Sequence, residues 1–277
     1  MRNYILKVFC ILMLTGLVST DGYAQIDYFD FTYKKKAVKE RRAIPFRYVR
    51  EADAVWSKRI ERIIDTREKK NLPLKWPKNP LNKIVYSAAT DGSLTAYRND
   101  SLSSIFTPEE VLERGGSESV VQIYPDPDDP YYYIDSIVYN PYQPEKIIKF
   151  RMMEDWIFDK QSGLFFSRII GIAPIFKPEI EGAELPEQPL FWLKWDELRD
   201  YLVNYEIFNR HNDAARLTYY DFFEMRLFSS YIVREPNEFD YSIKDFEEFK
   251  NDPFAALLES EKIKSELFQW EHDLWQY

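Results

Sequence analysis

A single cysteine in 277 residues, Cys10, limits how this chain can be held together. It lies in the apolar stretch Val8–Val18 near the N-terminus, so no pair of thiols is available to staple a fold. The remainder also has no thiol nucleophile and no thiolate metal set. Burial of apolar side chains must therefore supply the stability, and aromatic residues at 17% of the chain provide ample material.

The N-terminal segment reads as a secretory signal peptide. Arg2 and Lys7 precede an apolar run too short to span a bilayer, and Gly22-Tyr23-Ala24 places small residues at −3 and −1 of a cleavage site before Gln25. Cys10 follows Phe9 and comes too early for a lipidated cysteine. Residues 1–24 are thus expected to be removed on export, with no later stretch long and apolar enough to cross a membrane.

Charge is distributed unevenly. The whole chain is −9, yet Gln25 to Lys83 carries 17 Lys and Arg against 8 Asp and Glu, while Ile84 to Tyr277 carries 18 against 37. A +9 segment is joined to a −19 body. Basic tails often bind nucleic acid, but an exported chain rarely meets any. Attraction between the basic segment and an acidic body, its own or a neighbour's, is the expected use.

The fold class expected is α+β: two hairpin-plus-helix units around a mixed core, with an extended basic strap over 25–50 and a single domain over 51–277, divisible into 51–125 and 145–277. Trp56, Ile60, Ile63 and Ile64 fit one face of a helix that Asp53 would cap. Asp65 and Lys69 would form an i,i+4 pair, Asn71 and Pro73 would end the helix, and four of the basic groups, off the apolar face, would be solvated. Ile84, Tyr86 and Ala88 alternate before Asp91-Gly92, the pattern of a hairpin over Lys83–Arg98. Thr107, Pro108 and Glu110 spell a capped short helix ended by Gly115.

A Pro- and Tyr-rich loop or edge region around 124–145 precedes a second hairpin over 146–176, turning near Gln161-Ser162-Gly163, and then a linker. A helix capped by Asp196 would present Leu198, Tyr201, Leu202 and Tyr205. The hairpin–helix order thus occurs twice, which either an internal duplication or ordinary α+β economy explains. The stretch "YYDFFEMRLFSSYIVREPNEFD" from Tyr219 reads as a helix to about Ser229, then a strand over Tyr231-Ile232-Val233, with Glu224 and Arg226 at the rim or paired elsewhere. Finally, Asp252 and Pro253 open a long amphipathic helix whose stripe is Ala256, Ser260, Ile263, Leu267, Trp270 and Leu274; it serves the core or docks on a partner.

Chemistry-bearing patterns are sparse. His211 and His272 are the only histidines and sit in no metal-binding spacing. There is no GxSxG elbow and no Gly-rich phosphate loop. Asp126, Asp128 and Asp129 lack the glycine and terminal glutamate of an EF-hand loop and read as a solvated turn. Glu154 and Asp155 are adjacent in a strand-like segment, so they face opposite ways and make a poor acid/base pair. No catalytic, cofactor or metal site is expected. The competing readings are an exported carboxylate-dependent hydrolase and a stand-alone ligand-binding module.

The segment "VWSKRIERIIDTREKKNLPLKWP" resembles the hallmark block of the GldN/PorN family of gliding-motility and type IX secretion proteins of the Bacteroidetes. The residues carrying the resemblance are Trp56, Lys58, Arg59, Arg62, Ile64, Asp65, Arg67, Glu68, Lys69, Asn71, Pro73 and Leu74. "FFEMRLFSSYI", with Phe223, Glu224 and Arg226, resembles a second block. The resemblance implies a non-catalytic periplasmic component, peripheral to the outer membrane, that forms a large ring with a GldK/PorK-like lipoprotein alongside GldL/GldM-like motor proteins. No nucleic acid is expected, and membrane association only through partners. Within the strap, Lys34, Lys35, Lys36, Lys39, Arg41 and Arg42 are the expected contact residues, with Phe46 and Tyr48 as apolar anchors.

Overall fold

The computed structural model describes residues 41–273 apart from 115, 124–133, 141, 181–182, 185, 211 and 213. All of these fall in one compact unit, Glu40–Tyr277. In chain order the strands are β1 (Ala54–Asp65), β2 (Ala96–Tyr97), β3 (Ser117–Ile123), β4 (Ile134–Asn140), β5 (Lys149–Asp159), β6 (Leu164–Phe176), β7 (Glu179–Ile180), β8 (Ala183–Glu184), β9 (Gln188–Pro189), β10 (Trp192–Lys194), β11 (Glu206–Ile207), β12 (Leu217–Thr218) and β13 (Tyr231–Arg234). The helices are α1 (Leu81–Thr90), α2 (Pro108–Glu113), α3 (Trp195–Leu202), α4 (Tyr219–Glu224) and α5 (Pro253–Asp273). The fold is α+β and closes on the long C-terminal helix.

One antiparallel sheet organises the unit, in the order β13-β1-β5-β6-β10-β2, with β9 added to β6. The three long strands β1, β5 and β6 are its centre. The β5–β6 hairpin turns where the sequence indicates. Gly163 takes φ +66, a conformation only glycine adopts readily, and the Asp159 carboxylate accepts from Gln161 N at 2.9 Å and Ser162 Oγ at 2.6 Å. Because β1 pairs with both β5 and β13, the halves 51–125 and 145–277 share this sheet.

Two elements differ from the sequence expectation. Residues 54–65 are strand, not helix. Three isoleucines and a valine favour the pleated conformation, and every residue from Ile60 to Asp65 is buried, so both faces of the strand need protection. A strand covered on both faces loses its two-residue contrast, and Ile60, Ile63 and Ile64 then mimic a helical stripe. Conversely, the expected hairpin over Lys83–Arg98 is mostly α1. Leu81, Ile84, Val85, Ala88 and Ala89 are buried together at i, i+3, i+4, i+7 and i+8. Asp91-Gly92 ends that helix rather than turning a hairpin: Asp91 N donates to Ser87 O at 2.8 Å and Gly92 has φ +70. The first expected hairpin-plus-helix unit is therefore α1, the short sheet strand β2 and α2, which does not repeat the long β5–β6 hairpin of the second.

Other boundaries follow local chemistry. Thr107 and Glu110 form the expected capping box of α2. Thr218 and Asp221 form another at α4, which ends at Glu224, earlier than the expected Ser229. Asp252 Oδ1 accepts from the Phe254 and Ala255 amides at 3.0 and 3.1 Å and so caps α5. Asp196 is not the cap of α3: the helix begins at Trp195, and Asp196 and Glu197 lie in its first turn, where negative charge suits the helix dipole.

By alternation, Ile60, Arg62 and Ile64 share one sheet face, opposite Glu154, Met152 and Phe150 of β5. That face carries two apolar clusters. The larger packs Ile64, Phe150, Met152 and Ile172 against α1, α3 and α4 through Leu81, Val85, Trp195, Leu198 and Phe223. The smaller packs Ile60 and Ile232 against Ala256, Ile263 and Leu267 of α5. Each fully buried side chain of this size is worth about 1.5–3 kcal/mol relative to exposure. Arg62 lies between the two clusters along the strand.

Candidate functional site: a buried charge network and a two-faced helix

The hallmark segment gathers charge where the sheet is most covered. Glu154 has no exposed side-chain surface, and Arg62 has 6%. Arg62 Nε donates to Glu154 Oε1, Trp156 Nε1 donates to the same oxygen at 2.7 Å, and Arg226 Nη2 donates to Oε2 at 2.6 Å. Arg226 Nη1 also donates to Ser167 Oγ at 2.5 Å. Both guanidinium groups lie near the Trp156 ring, at 5.8 and 5.5 Å from its centroid. Burial acts to raise the Glu154 carboxyl, but Arg62 and Arg226, with the hydrogen bonds from Trp156 and Arg226, outweigh it and hold it below the ordinary carboxylate value. The expectation that the basic groups off the apolar face of this segment are solvated fails at Arg62.

The opposite face of β1 repeats the arrangement of one buried carboxylate between two arginines, with β1 now supplying the carboxylate. Glu61 is buried, receives Arg234 Nη2, and has Arg151 Nη1 at 3.6 Å. Arg234 also reaches Asp100 at 2.9 Å and Asp240 at 3.3 Å. Burial dominates at Glu61 and raises its carboxyl despite the two arginines. Adjacent residues of one strand thus place a buried carboxylate on one face and a buried guanidinium on the other. The same rule separates Glu154 from Asp155, whose carboxylate pairs with Arg59 at 2.7 Å instead.

The rest of the two blocks fixes their mutual position. Arg67 donates to the Asp65 carboxylate from its own amide at 2.9 Å and from its guanidinium at 2.6 Å. Glu68, half-buried, accepts from Asn71 N through its backbone carbonyl at 2.9 Å. Asn71, fully buried, donates through Nδ2 to Asp65 O at 2.7 Å and Ser229 O at 2.8 Å, and accepts from Ser229 N at 2.8 Å. Lys58 pairs with Glu235 at 2.5 Å, and the Trp56 ring stacks on Trp270 of α5 at 5.4 Å. Glu224 accepts from Trp195 Nε1 at 3.1 Å, and Phe223 packs edge-on against the same indole. Arg226 adopts φ +53, a left-handed conformation that costs a non-glycine residue roughly 1–2 kcal/mol and that its bonds to Glu154 and Ser167 offset.

The end of the strap lies on its own body. Arg41 N donates to Asn204 Oδ1 at 3.4 Å and its guanidinium lies 3.8 Å from Asp221. Ile44 bonds Tyr220 and Arg199 through its amide and carbonyl. The Phe46 ring has Arg199 at 4.1 Å and Arg168 at 5.3 Å. Arg47 pairs with Asp159 at 3.4 Å, while Arg42 and Tyr48 are exposed. Lys34, Lys35, Lys36 and Lys39 lie outside the described residues, as do His211, Asp126, Asp128 and Asp129. Among the described residues no group of three or more His, Cys, Asp or Glu is placed to hold a metal ion, and no helix is long and apolar enough to cross a membrane. His272 is exposed beside Asp273.

Helix α5 has a feature the stripe argument missed. Its buried face is Ala256, Ser260, Ile263 and Leu267, as expected; Trp270 is half exposed and Leu274 lies outside the described residues. Phe254, Leu257, Leu258 and Phe268 lie on the opposite face and are 68%, 46%, 55% and 67% exposed. Their spacing at i, i+3, i+4 and i+14 was present in the sequence, hidden because apolar residues on both sides of a helix cancel its amphipathic contrast.

The sequence profile of the family described as gliding motility associated protein GldN matches residues 49–276. The chain belongs to the GldN family. The match takes in both hallmark blocks, the charge network between them and α5. It makes the protein a component of the gliding-motility and type IX secretion machinery. No curated protein matches the chain. In GldN terms, the hallmark residues placed here are chiefly structural: they join two distant segments across the central sheet.

Proposed function

We propose that this chain is a non-catalytic subunit of a periplasmic ring, built with a GldK/PorK-like lipoprotein beneath the outer membrane and working beside GldL/GldM-like motor proteins. The observation that carries this reading is the outer face of α5. Four large apolar side chains stand exposed on a helix whose other face is already committed to the core. Isolated exposed apolar residues are ordinary, but an aligned set on one helix face is what a partner covers. The charge split supports assembly as well, since a +9 segment and a −19 body on one chain offer complementary surfaces for head-to-tail contact.

The buried carboxylate Glu154 favours scaffold over catalysis. Both Glu154 oxygens are taken by cations and an indole N–H, which leaves that group neither a proton to donate nor a free lone pair directed at a cleft. Export, with cleavage after Ala24, places the protein in the periplasm, attached to the membrane through its lipoprotein partner. The test is co-expression with the lipoprotein of the same secretion locus, followed by affinity purification and electron microscopy. Rings that contain both proteins support the reading; a folded chain recovered alone overturns it.

A further inference from the structure

We infer that the groove between the segment 235–249 and α5 is the receptor for the basic segment Lys34–Lys39 of a neighbouring copy. The inference rests on the assembly reading above and names the contact that would join one copy to the next.

The groove encloses about 700 Å³. Its floor is apolar, with buried Ile243 and Ile263 and the half-buried rings of Phe246 and Phe249. Phe239 and Tyr241 form one lip; they stack on each other at 5.4 Å and are 64% and 46% exposed. Five carboxylates line the groove against the single cation Lys262. Three have work already: Glu235 pairs with Lys58, Glu259 with Lys262, and Asp245 accepts from Ser242 N as a cap. Glu247 and Glu248 are exposed and form no ion pair among the described residues.

Exposed aromatic rings beside unpaired carboxylates suit one kind of guest, a segment whose long cationic side chains lie over the rings and reach the acids. "KKKAVK", Lys34 to Lys39, has four cations and no acid, and no other stretch of the chain is as basic. The guest is assigned to a neighbouring copy because the assembly reading calls for a contact between copies, and the end of the strap is committed elsewhere on its own body. Residues 41–47 bond Asn204, Tyr220, Asp221, Arg199, Arg168 and Asp159, none of which lines the groove.

Disulfide trapping tests this cleanly, because the only native cysteine is in the leader. Exported chains carrying Lys36→Cys and Glu248→Cys are purified separately, mixed and oxidised. We expect a mixed disulfide dimer, reduced at least tenfold by adding Glu247→Lys to the groove chain, and restored when Lys34→Glu and Lys35→Glu are added to the other. A pairing of Lys36→Cys with the exposed control Lys75→Cys should give little product. Equal yield at the control, absence of the mixed dimer from folded chains, or a bond formed only within a single chain carrying both cysteines would each overturn the proposal. Co-purification of the same variants with the lipoprotein separates the two readings. Loss of the disulfide with lipoprotein binding intact removes the groove contact alone, whereas a disulfide without lipoprotein binding removes the shared ring.

Discussion

Asn71 and Ser229 exchange a pair of hydrogen bonds, side-chain amide to backbone carbonyl and backbone amide to side-chain oxygen, each 2.8 Å long. A third bond runs from Asn71 to the Asp65 carbonyl. One buried amide thus satisfies three backbone groups in two segments 158 residues apart and fixes the loop after β1 against the loop after α4. Asn71→Ala leaves those three groups without partners, and a buried unsatisfied polar group costs about 1–3 kcal/mol. We predict a loss near 3 kcal/mol in urea unfolding, and no rescue by Asn71→Asp, which lacks the donors.

The pair of Arg62 and Arg226 around Glu154 predicts a large effect from removing the shared carboxylate. Glu154→Gln strands two guanidinium groups, one of them buried, at a cost of about 3–5 kcal/mol near neutral pH. Replacing Glu154 and Arg62 together with leucine and methionine should recover part of it, because the uncompensated charge goes with its partner. Denaturant midpoints of the three proteins check this.

Acid stability follows from the same geometry. The Glu154 carboxyl titrates below its ordinary value in the fold. Its stabilisation is full above the unfolded carboxylate pKa of about 4.3 and is lost as pH falls through the lower folded value. Glu61 has the opposite sign: its folded pKa is raised, so its contribution favours the fold at low pH and declines as pH rises from about 4.3 through the folded value. Unfolding curves between pH 3 and 7 should therefore steepen on the acid side in Glu61→Gln and flatten in Glu154→Gln.

On the alkaline side, burial pushes the Tyr142 and Tyr231 hydroxyls up to about 12. A phenol whose folded pKa is raised stabilises the fold below its unfolded value of about 10, and that contribution is lost as pH climbs from there toward 12. Circular dichroism at 280 nm together with phenolate absorbance should show ionisation and unfolding coinciding in that window. Tyr142→Phe and Tyr231→Phe should each shift the midpoint upward.

What the sequence made legible was what local chemistry decides. The Thr107–Glu110 capping box, the Gly163 hairpin, the Asp252 cap and the buried stripe of α5 each depend on a few neighbouring residues, and each is in the structure. The exchange of strand and helix at residues 54–65 and 81–90 has a single physical source. Period-two contrast needs one wet face, and β1 has none; the 81/84/85/88 stripe of α1 was equally present but competed with a chance alternation ending at Asp-Gly. Arg62 was misread as solvated because its partner, Glu154, lies 92 positions away, and sequence spacing carries no information about such pairs. The hallmark blocks identified the family, while their role as a joint between distant segments needed the fold.

The central claim is that the outer face of α5 is an assembly surface and not a packing defect. Its direct test is size-exclusion chromatography with light scattering on the chain co-purified with its lipoprotein, wild type against Phe254→Ser/Leu258→Ser/Phe268→Ser. The account predicts that wild type elutes in a large joint assembly. The triple variant should keep its urea midpoint, because these side chains are already exposed, yet separate from the lipoprotein. A variant that assembles as well as wild type, or a wild type that never leaves the monomer position, would contradict it.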